Sequence, residues 1–482
     1  MPSRTINRDH LWIAALLALA VGVLTFRLSH PALWKDEFFS LVYTRHSYAH
    51  HFALTRTTDV HPPLYPVALK AWISLFGESR EALRMLSVLF AAASVPAVYL
   101  LAQRNLGRTI AVLASLLLIA SPLFLHFGRE IRNYAMLSAL TVWAVYGFAE
   151  YIRCRRESGR TSWFHILLFV ASLTLAFHVH YISILYFPLF GALAAWCWLQ
   201  DRDYRGFAIG IGAIVVGVVL CIPQSTHMLG YSMASGAARN DWIARTTASS
   251  FYHQTLGAFP FPQYAKPLFF VLYAAGAWLT ARRSPLLFAT TMIFIPGGII
   301  LCAMMGLFKG VFLVRSIQTF VLLAPIWLAV VMAKLPRSLM VGGTLLLAGA
   351  GLWSARADFP EVPVANAGAG MKLAFAAPAP NRFLDADIEM ELQANDISLE
   401  RWQPIAIEQP GKGLARIGAK LAECRKALPT CGDTVVVIAD HPPFFAAEAD
   451  EWRRGIDALE KIYPAANDQV MAGYRFTRFR QD

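Results

Sequence analysis

Residues 83–126 read LRMLSVLFAAASVPAVYLLAQRNLGRTIAVLASLLLIASPLFLH. Two apolar runs, 83–102 and 109–126, flank a short turn that carries Arg104 and Arg108. Each run approaches the roughly 20 residues a helix needs to cross the hydrocarbon of a bilayer. The pattern predicts two consecutive membrane spans joined by a basic connection. Outward from this pair, similar runs lie near 11–27, 134–151, 163–179, 181–199, 207–223, 267–281, 286–306, 314–333 and 338–354. The expectation is a polytopic α-helical membrane protein of about eleven spans, with no internal repeat.

Composition points the same way. The chain has 482 residues, 56% apolar and 15% charged, against roughly 45–50% and about 25% for ordinary globular domains. This excludes a typical soluble enzyme and a disordered chain. The last 128 residues hold 15 of the 43 basic and 19 of the 31 acidic side chains, leaving 28 and 12 for the first 354. The division predicts a transmembrane domain over 1–354, net +16, and a small soluble α/β domain over 355–482, net −4. Within the tail, the Pro, Ala and Gly-rich stretch 359–380 reads as a linker. Helices are expected near 411–427 and 445–461, with an apolar strand from Thr434 to Ala439. The tail carries no visible catalytic motif. Cys424 and Cys431 are near enough in sequence to pair, which leaves a disulfide and two free thiols both open.

The net charge of +12 does not imply nucleic acid, because the basic residues sit in short clusters between apolar runs. Alternate connections hold Arg4 and Arg8; Arg104 and Arg108; Arg153, Arg155, Arg156 and Arg160; Arg202 and Arg205; Arg282 and Arg283; Lys334 and Arg337. Cations concentrated in short loops mark the cytoplasmic side. The amino terminus is then cytoplasmic, and the run from Leu11 reads as a retained first span. Loops 28–82 and 224–266 and the tail fall on the periplasmic side. The acids expected there before the tail are Asp36, Glu37, Asp59, Glu78, Glu81, Glu130 and Asp241.

Three segments at that outer boundary stand out. Trp34-Lys35-Asp36-Glu37 follows the first span and opens an amphipathic stretch suited to the interface; by itself it also reads as an anchor with Asp36 as helix N-cap. His61-Pro62-Pro63-Leu64-Tyr65 ends the same loop, where two prolines present His61 on a rigid turn, or simply form a helix entry. Gly128-Arg129-Glu130-Ile131-Arg132-Asn133-Tyr134 joins two spans with three charges, which at a membrane boundary are costly unless paired or functional. A mutual Arg–Glu salt bridge is the plainer account.

In this order, with Arg84-Met85-Leu86-Ser87 opening the second span, these segments resemble the polytopic GT-C glycosyltransferases. The nearest likeness is the protein mannosyltransferase-like branch that includes bacterial galacturonic acid and aminoarabinose lipid A and core transferases. Val314-Arg315 with Pro325 is similar to that family's Arg-Tyr and downstream Pro pattern, with Ser316 where Tyr is usual. His178, His180 and Tyr181 resemble its His-Tyr at an outer helix end. The likeness covers most of 11–335 and excludes the tail. It implies a sugar donor on a polyprenyl phosphate, an active site facing the periplasm, and Asp36 as catalytic carboxylate beside Glu37. Where the aminoarabinose branch has a Lys before the Pro pair in contact with donor phosphate, this chain has His61, whose charge varies near neutral pH.

The chemistry is consistent with those roles. Sugar transfer from a lipid phosphate needs a carboxylate to take the acceptor proton and cations to stabilise the departing phosphate. Asp36 suits the first task; Arg129, Arg132 and Arg315 suit the second, with His61. Glu130 would orient an arginine or bind a divalent ion, and Tyr65, Tyr134, His180 and Tyr181 would support the site. No P-loop for a nucleotide donor occurs. The expected activity is a bacterial inner-membrane glycosyltransferase, with a periplasmic lipid A, core, glycolipid or protein acceptor. The rival is a transporter or flippase for lipid-linked glycans, which would place its charges near mid-span.

Overall fold

The computed structural model describes residues 8–28, 61–234, 245–259 and 266–354, isolated positions between 37 and 52, and five strands of the tail. These form two compact units, one of residues 1–28 and 46–358, the other of 29–45 and 359–482.

The first unit is helical: α1 Arg8–Thr25, α2 Leu64–Phe76, α3 Arg80–Leu106, α4 Arg108–Ile119, α5 Pro122–Phe127, α6 Tyr134–Ser158, α7 Trp163–Val179, α8 Tyr186–Asp201, α9 Tyr204–Ala234, α10 Ala248–Ala258, α11 Lys266–Arg283, α12 Pro285–Met292, α13 Gly298–Phe308, α14 Val314–Val321, α15 Ala324–Met332 and α16 Arg337–Ser354. A 3₁₀ turn, Tyr181–Leu185, precedes α8, and a π turn, Ile293–Gly297, joins α12 to α13 around Pro296. Helix lies at every predicted span. Among the described residues, six stretches are long and apolar enough to cross a membrane: Arg8–Thr25, Arg80–Leu106, Tyr134–Ser158, Tyr181–Asp201, Tyr204–Thr226 and Pro285–Phe308. The α14–α15 pair, bent by 47°, is a broken span, which would make a seventh, or a re-entrant loop.

Four predicted spans fall outside these seven: 109–126, 163–179, 267–281 and 338–354. The run 109–126 is divided because Pro122 cannot continue α4, so α5 starts anew after Ser121. α4 alone is about 18 Å long at 1.5 Å per residue. Two helices, α2 and α10, lie within the long connections, and α9 runs through Pro223 to Ala234 instead of ending near 223.

α6 is the centre of the unit, with 89% of its apolar window buried, against 17% for α1. It packs between α3 and α7. Phe148, Phe169, Phe190 and Phe294 interlock there, with successive ring centroids 4.7–5.3 Å apart. Gly147 lets α6 and α7 approach closely, since a Cβ there would stand 3.0 Å from the His165 carbonyl oxygen.

Several of the basic connections meet one another in two groups. Arg108 and Tyr99 donate to Asp9 at 2.8 and 2.9 Å, joining the amino terminus to the α3–α4 turn. Ser284 donates to Asn105 at 2.8 Å, adding the α11–α12 turn. Arg155 and Arg156, near the end of α6, pair with Asp203 and Asp201 at 2.7 and 2.6 Å. Arg155 holds the Asp203 carboxyl below the usual range.

In the second unit, strands β1 Lys372–Pro378, β2 Trp402–Ile407, β3 Asp433–Ala439, β4 Ala465–Met471 and β5 Tyr474–Arg480 form a mixed sheet of order β2-β1-β3-β5-β4. β1 pairs in parallel with β2 and β3; β5 runs antiparallel to β3 and β4. The strand expected at Thr434–Ala439 is β3. Within the stretch 359–380 read as a linker, β1 corrects that reading over 372–378, because backbone pairing on both edges outweighs an Ala-rich composition. Cys424, Cys431 and the helices expected near 411–427 and 445–461 lie outside the described residues.

Candidate functional site

At the end of the first unit opposite the Arg–Asp pairs, segments far apart in sequence meet. Pro62 and Pro63 are buried, and α2 begins at Leu64 with Pro63 as its N-cap, so His61 stands on the entry turn. Its ring meets His180 edge-on, with centroids 5.1 Å apart. Tyr65, one turn further, is buried, and its hydroxyl lies 3.1 Å from Ser87 Oγ of α3. Ser87 in turn donates to the Arg132 carbonyl at 3.4 Å. Tyr65 therefore fastens the His61 turn to α3 and to the 128–133 connection. Arg84, 1% exposed, donates to the Leu28 carbonyl at 2.9 Å.

The 128–133 connection is held tightly. A Cβ on Gly128 would collide with the Phe124 carbonyl and with Leu24, so only glycine fits. Arg129 donates from Nη2 to Val23 O at 2.7 Å and from Nε to Leu24 O at 3.1 Å, satisfying carbonyls in the last turn of α1. Burial, and then the neighbouring Arg84, pull its pKa down. Glu130 is 0% exposed and lies 3.0 Å from Nε2 of His126, one helical turn earlier. Asn133 donates to the Val179 carbonyl at 3.0 Å, which brings the end of α7 alongside. The Arg132 guanidinium, 7% exposed in residue terms, stands 5.8 Å from the Tyr134 ring centroid.

His180 lies at the centre of this group. Its Nδ1 accepts the Ile182 N–H at 3.0 Å, so the neutral ring carries its proton on Nε2. Burial is the main cause that holds its pKa well below the ordinary value of 6.5; the neighbouring His61, Arg132 and Arg315 act in the same sense. Tyr181 accepts from Gln224 of α9 at 2.7 Å. Arg315 is half-buried in the first turn of α14, whose Val314 N–H donates to Gln254 of α10 at 2.8 Å.

The structure thus brings together His61, Arg132, Tyr134, His180 and Arg315, with Tyr65, Arg129, Glu130 and Tyr181 holding the surrounding elements. The result is a cationic concentration with a neutral imidazole donor, suited to an anionic oxygen group. Asp36 lies outside the described residues. Glu37 is helical and buried in the second unit. Among the described residues no three His, Cys, Asp or Glu side chains are grouped to hold a metal ion. The sequence reading missed His126, Gln224 and Gln254. The four-residue spacing of His126 and Glu130 was the available signal for the first, while the glutamines emerge only from helix packing.

Residues 60–227 match the family model described as dolichyl-phosphate-mannose-protein mannosyltransferase. Among solved structures, ArnT from Cupriavidus metallidurans bound to undecaprenyl phosphate is similar with a TM-score of 0.55 at 13% identity, over 97% of this chain and 98% of that one. The apo form of the same protein gives 0.54 at 13% identity, over 98% of each chain. The archaeal oligosaccharyltransferase AglB from Archaeoglobus fulgidus, in complex with an inhibitory peptide and a dolichol-phosphate, gives 0.55 at 10% identity, over 98% of this chain and 74% of that one. No curated protein matches the chain in sequence.

Proposed function

From a chain with the GT-C fold and a protein mannosyltransferase-like segment over 60–227, we propose a glycosyltransferase of the bacterial inner membrane. It transfers a sugar from a polyprenyl phosphate to a periplasmic lipid, glycan or protein acceptor, with about eleven membrane passes and the tail on the periplasmic side. Asp36, with Glu37 beside it in sequence, takes the proton from the acceptor hydroxyl. The hydroxyl oxygen then bonds to the anomeric carbon as the bond from that carbon to the phosphate oxygen breaks. The electron pair leaves with the polyprenyl phosphate, and inversion follows from attack on the opposite face. Arg132, Arg315 and His61 stabilise the phosphate, and His180 donates from Nε2. Arg129 contributes its charge while holding α1, and Glu130 orients His126.

The observation that carries this reading is the concentration of Arg132, Arg315 and His61 around His180 at one end of the helices. It matches a lipid phosphate at headgroup depth, a position where nucleotide sugars are not normally available. A flippase would share the break at Ile293–Gly297, but Phe190 packs on Phe294 there and no charged side chain lies in the break. In the deciding experiment, purified protein receives a labelled polyprenyl phosphate sugar or the matching nucleotide sugar, with envelope extract as acceptor. Transfer is expected from the lipid donor; transfer from the nucleotide sugar alone would refute the donor assignment.

A further inference from the structure

α14 is eight residues long and is separated from α15 by a 47° bend, so continuity with the following helix does not fix its rotation. Its N-terminal N–H at Val314 is held by Gln254. Arg315, Gln318 and Thr319 are three and four residues apart and therefore share one face. Gln318 is buried and pairs with Ser138 of α6, with contacts at 3.1 and 3.3 Å. Tyr186 of α8 donates to Thr319 at 2.9 Å, and the Thr141 hydroxyl of α6 shares its one proton between Tyr186 at 2.9 Å and the Leu137 carbonyl of its own helix at 2.7 Å. In an apolar helix bundle such hydroxyl and amide groups have few alternative partners, so a rotation of α14 would leave several polar atoms unsatisfied together.

We propose that this buried polar clamp, made of the Gln318–Ser138 pair and the Thr141–Tyr186–Thr319 hydroxyl chain, positions Arg315 for the leaving phosphate. The proposal rests on the reading of Arg315 as a phosphate contact. Gln318, Tyr186 and Thr319 are positioning residues: they lie on the elements around Arg315 and act through it. An error of about 1 Å in placing a charged group can cost up to a hundredfold in rate, so a partial loosening should be plainly measurable.

The test uses the full chain, a polyprenyl phosphate sugar, and Thr319→Val, which keeps the shape but removes the hydroxyl. Thr319→Ser is the rescue and Tyr186→Phe the independent second variant. Thr319→Val and Tyr186→Phe should each lower kcat/KM for the lipid donor by about tenfold, with KM for the acceptor unchanged. Thr319→Ser should restore transfer. In an Arg315→Gln background, Thr319→Val should have little further effect, because its route to the phosphate is already gone. If the two losses multiply, or if Thr319→Val lowers thermal stability without changing donor kinetics, the clamp is merely structural and the proposal falls. If Arg315→Gln alone transfers at the native rate, the reading of Arg315 as a phosphate contact fails and takes the clamp with it.

Discussion

Arg129 and Arg132 are three positions apart in one short connection, yet their environments give them different work. Arg129 serves the last carbonyls of α1. Arg129→Gln should therefore lower the thermal midpoint of the detergent-purified protein, reflecting a loss of about 2 kcal/mol for charged hydrogen bonds. Arg132→Gln should leave the midpoint nearly unchanged and raise KM for the lipid donor. His180 supplies a pH signature. Its folded pKa is depressed, chiefly by burial, so the unfolded chain binds the extra proton more readily. The stability it contributes is complete above the ordinary 6.5 and is lost as pH falls from there toward the depressed value. Thermal melts from about pH 7.5 down to 5 should decline less steeply in His180→Gln than in the native protein. For Asp36, the Asn variant should keep expression and stability while transfer falls by about a hundredfold or more, within the usual range of general base catalysis. Native turnover in that variant would move the role to Glu37 or Glu130. At this scale the residue types were legible, because charges are rare in an apolar chain; that Arg129 bonds to the end of α1 was not, because it depends on which carbonyls stand nearby.

Helices were readable wherever an apolar run was uninterrupted, and misread where one residue changes the backbone rules. Pro122 divides the run 109–126, whereas Pro223 is carried inside α9. The same residue type has opposite outcomes because neighbouring helices can satisfy the backbone groups that a proline frees in one place and not in another. Helix contacts also depend on atoms that sequence patterns do not reveal. At Gly276 of α11, a Cβ would run into the backbone carbonyl of Trp327 on α15. Gly276→Ala should force these helices apart and cost about 1–3 kcal/mol, as overpacking does. A lowered melting midpoint with secondary structure unchanged by circular dichroism is the expected result; a native midpoint would mean that α15 yields without strain.

For the whole molecule, the basic connections predict a side. Alkaline phosphatase fused after residue 360 should be active, and the same reporter at Arg156 inactive, since cations in short loops are retained in the cytoplasm. The opposite pattern would place Asp36 in the cytoplasm and defeat the mechanism. Composition and apolar run length were enough to point to a polytopic helical chain, because burial in lipid requires every backbone polar group to be satisfied within its own helix; that 29–45 groups with 359–482 was not legible in them. The order of Asp36-Glu37, HPPLY, GREIRNY and Arg315 was enough to suggest the GT-C likeness. Only the tertiary structure decided that His61, Arg132, His180 and Arg315 meet at one end, that Arg129 bonds to the end of α1, and that Gln318 and Thr319 of α14 bond to Ser138 and Tyr186. Those outcomes depend on the rotation and crossing of helices distant in sequence, which local periodicity leaves free and side-chain packing fixes.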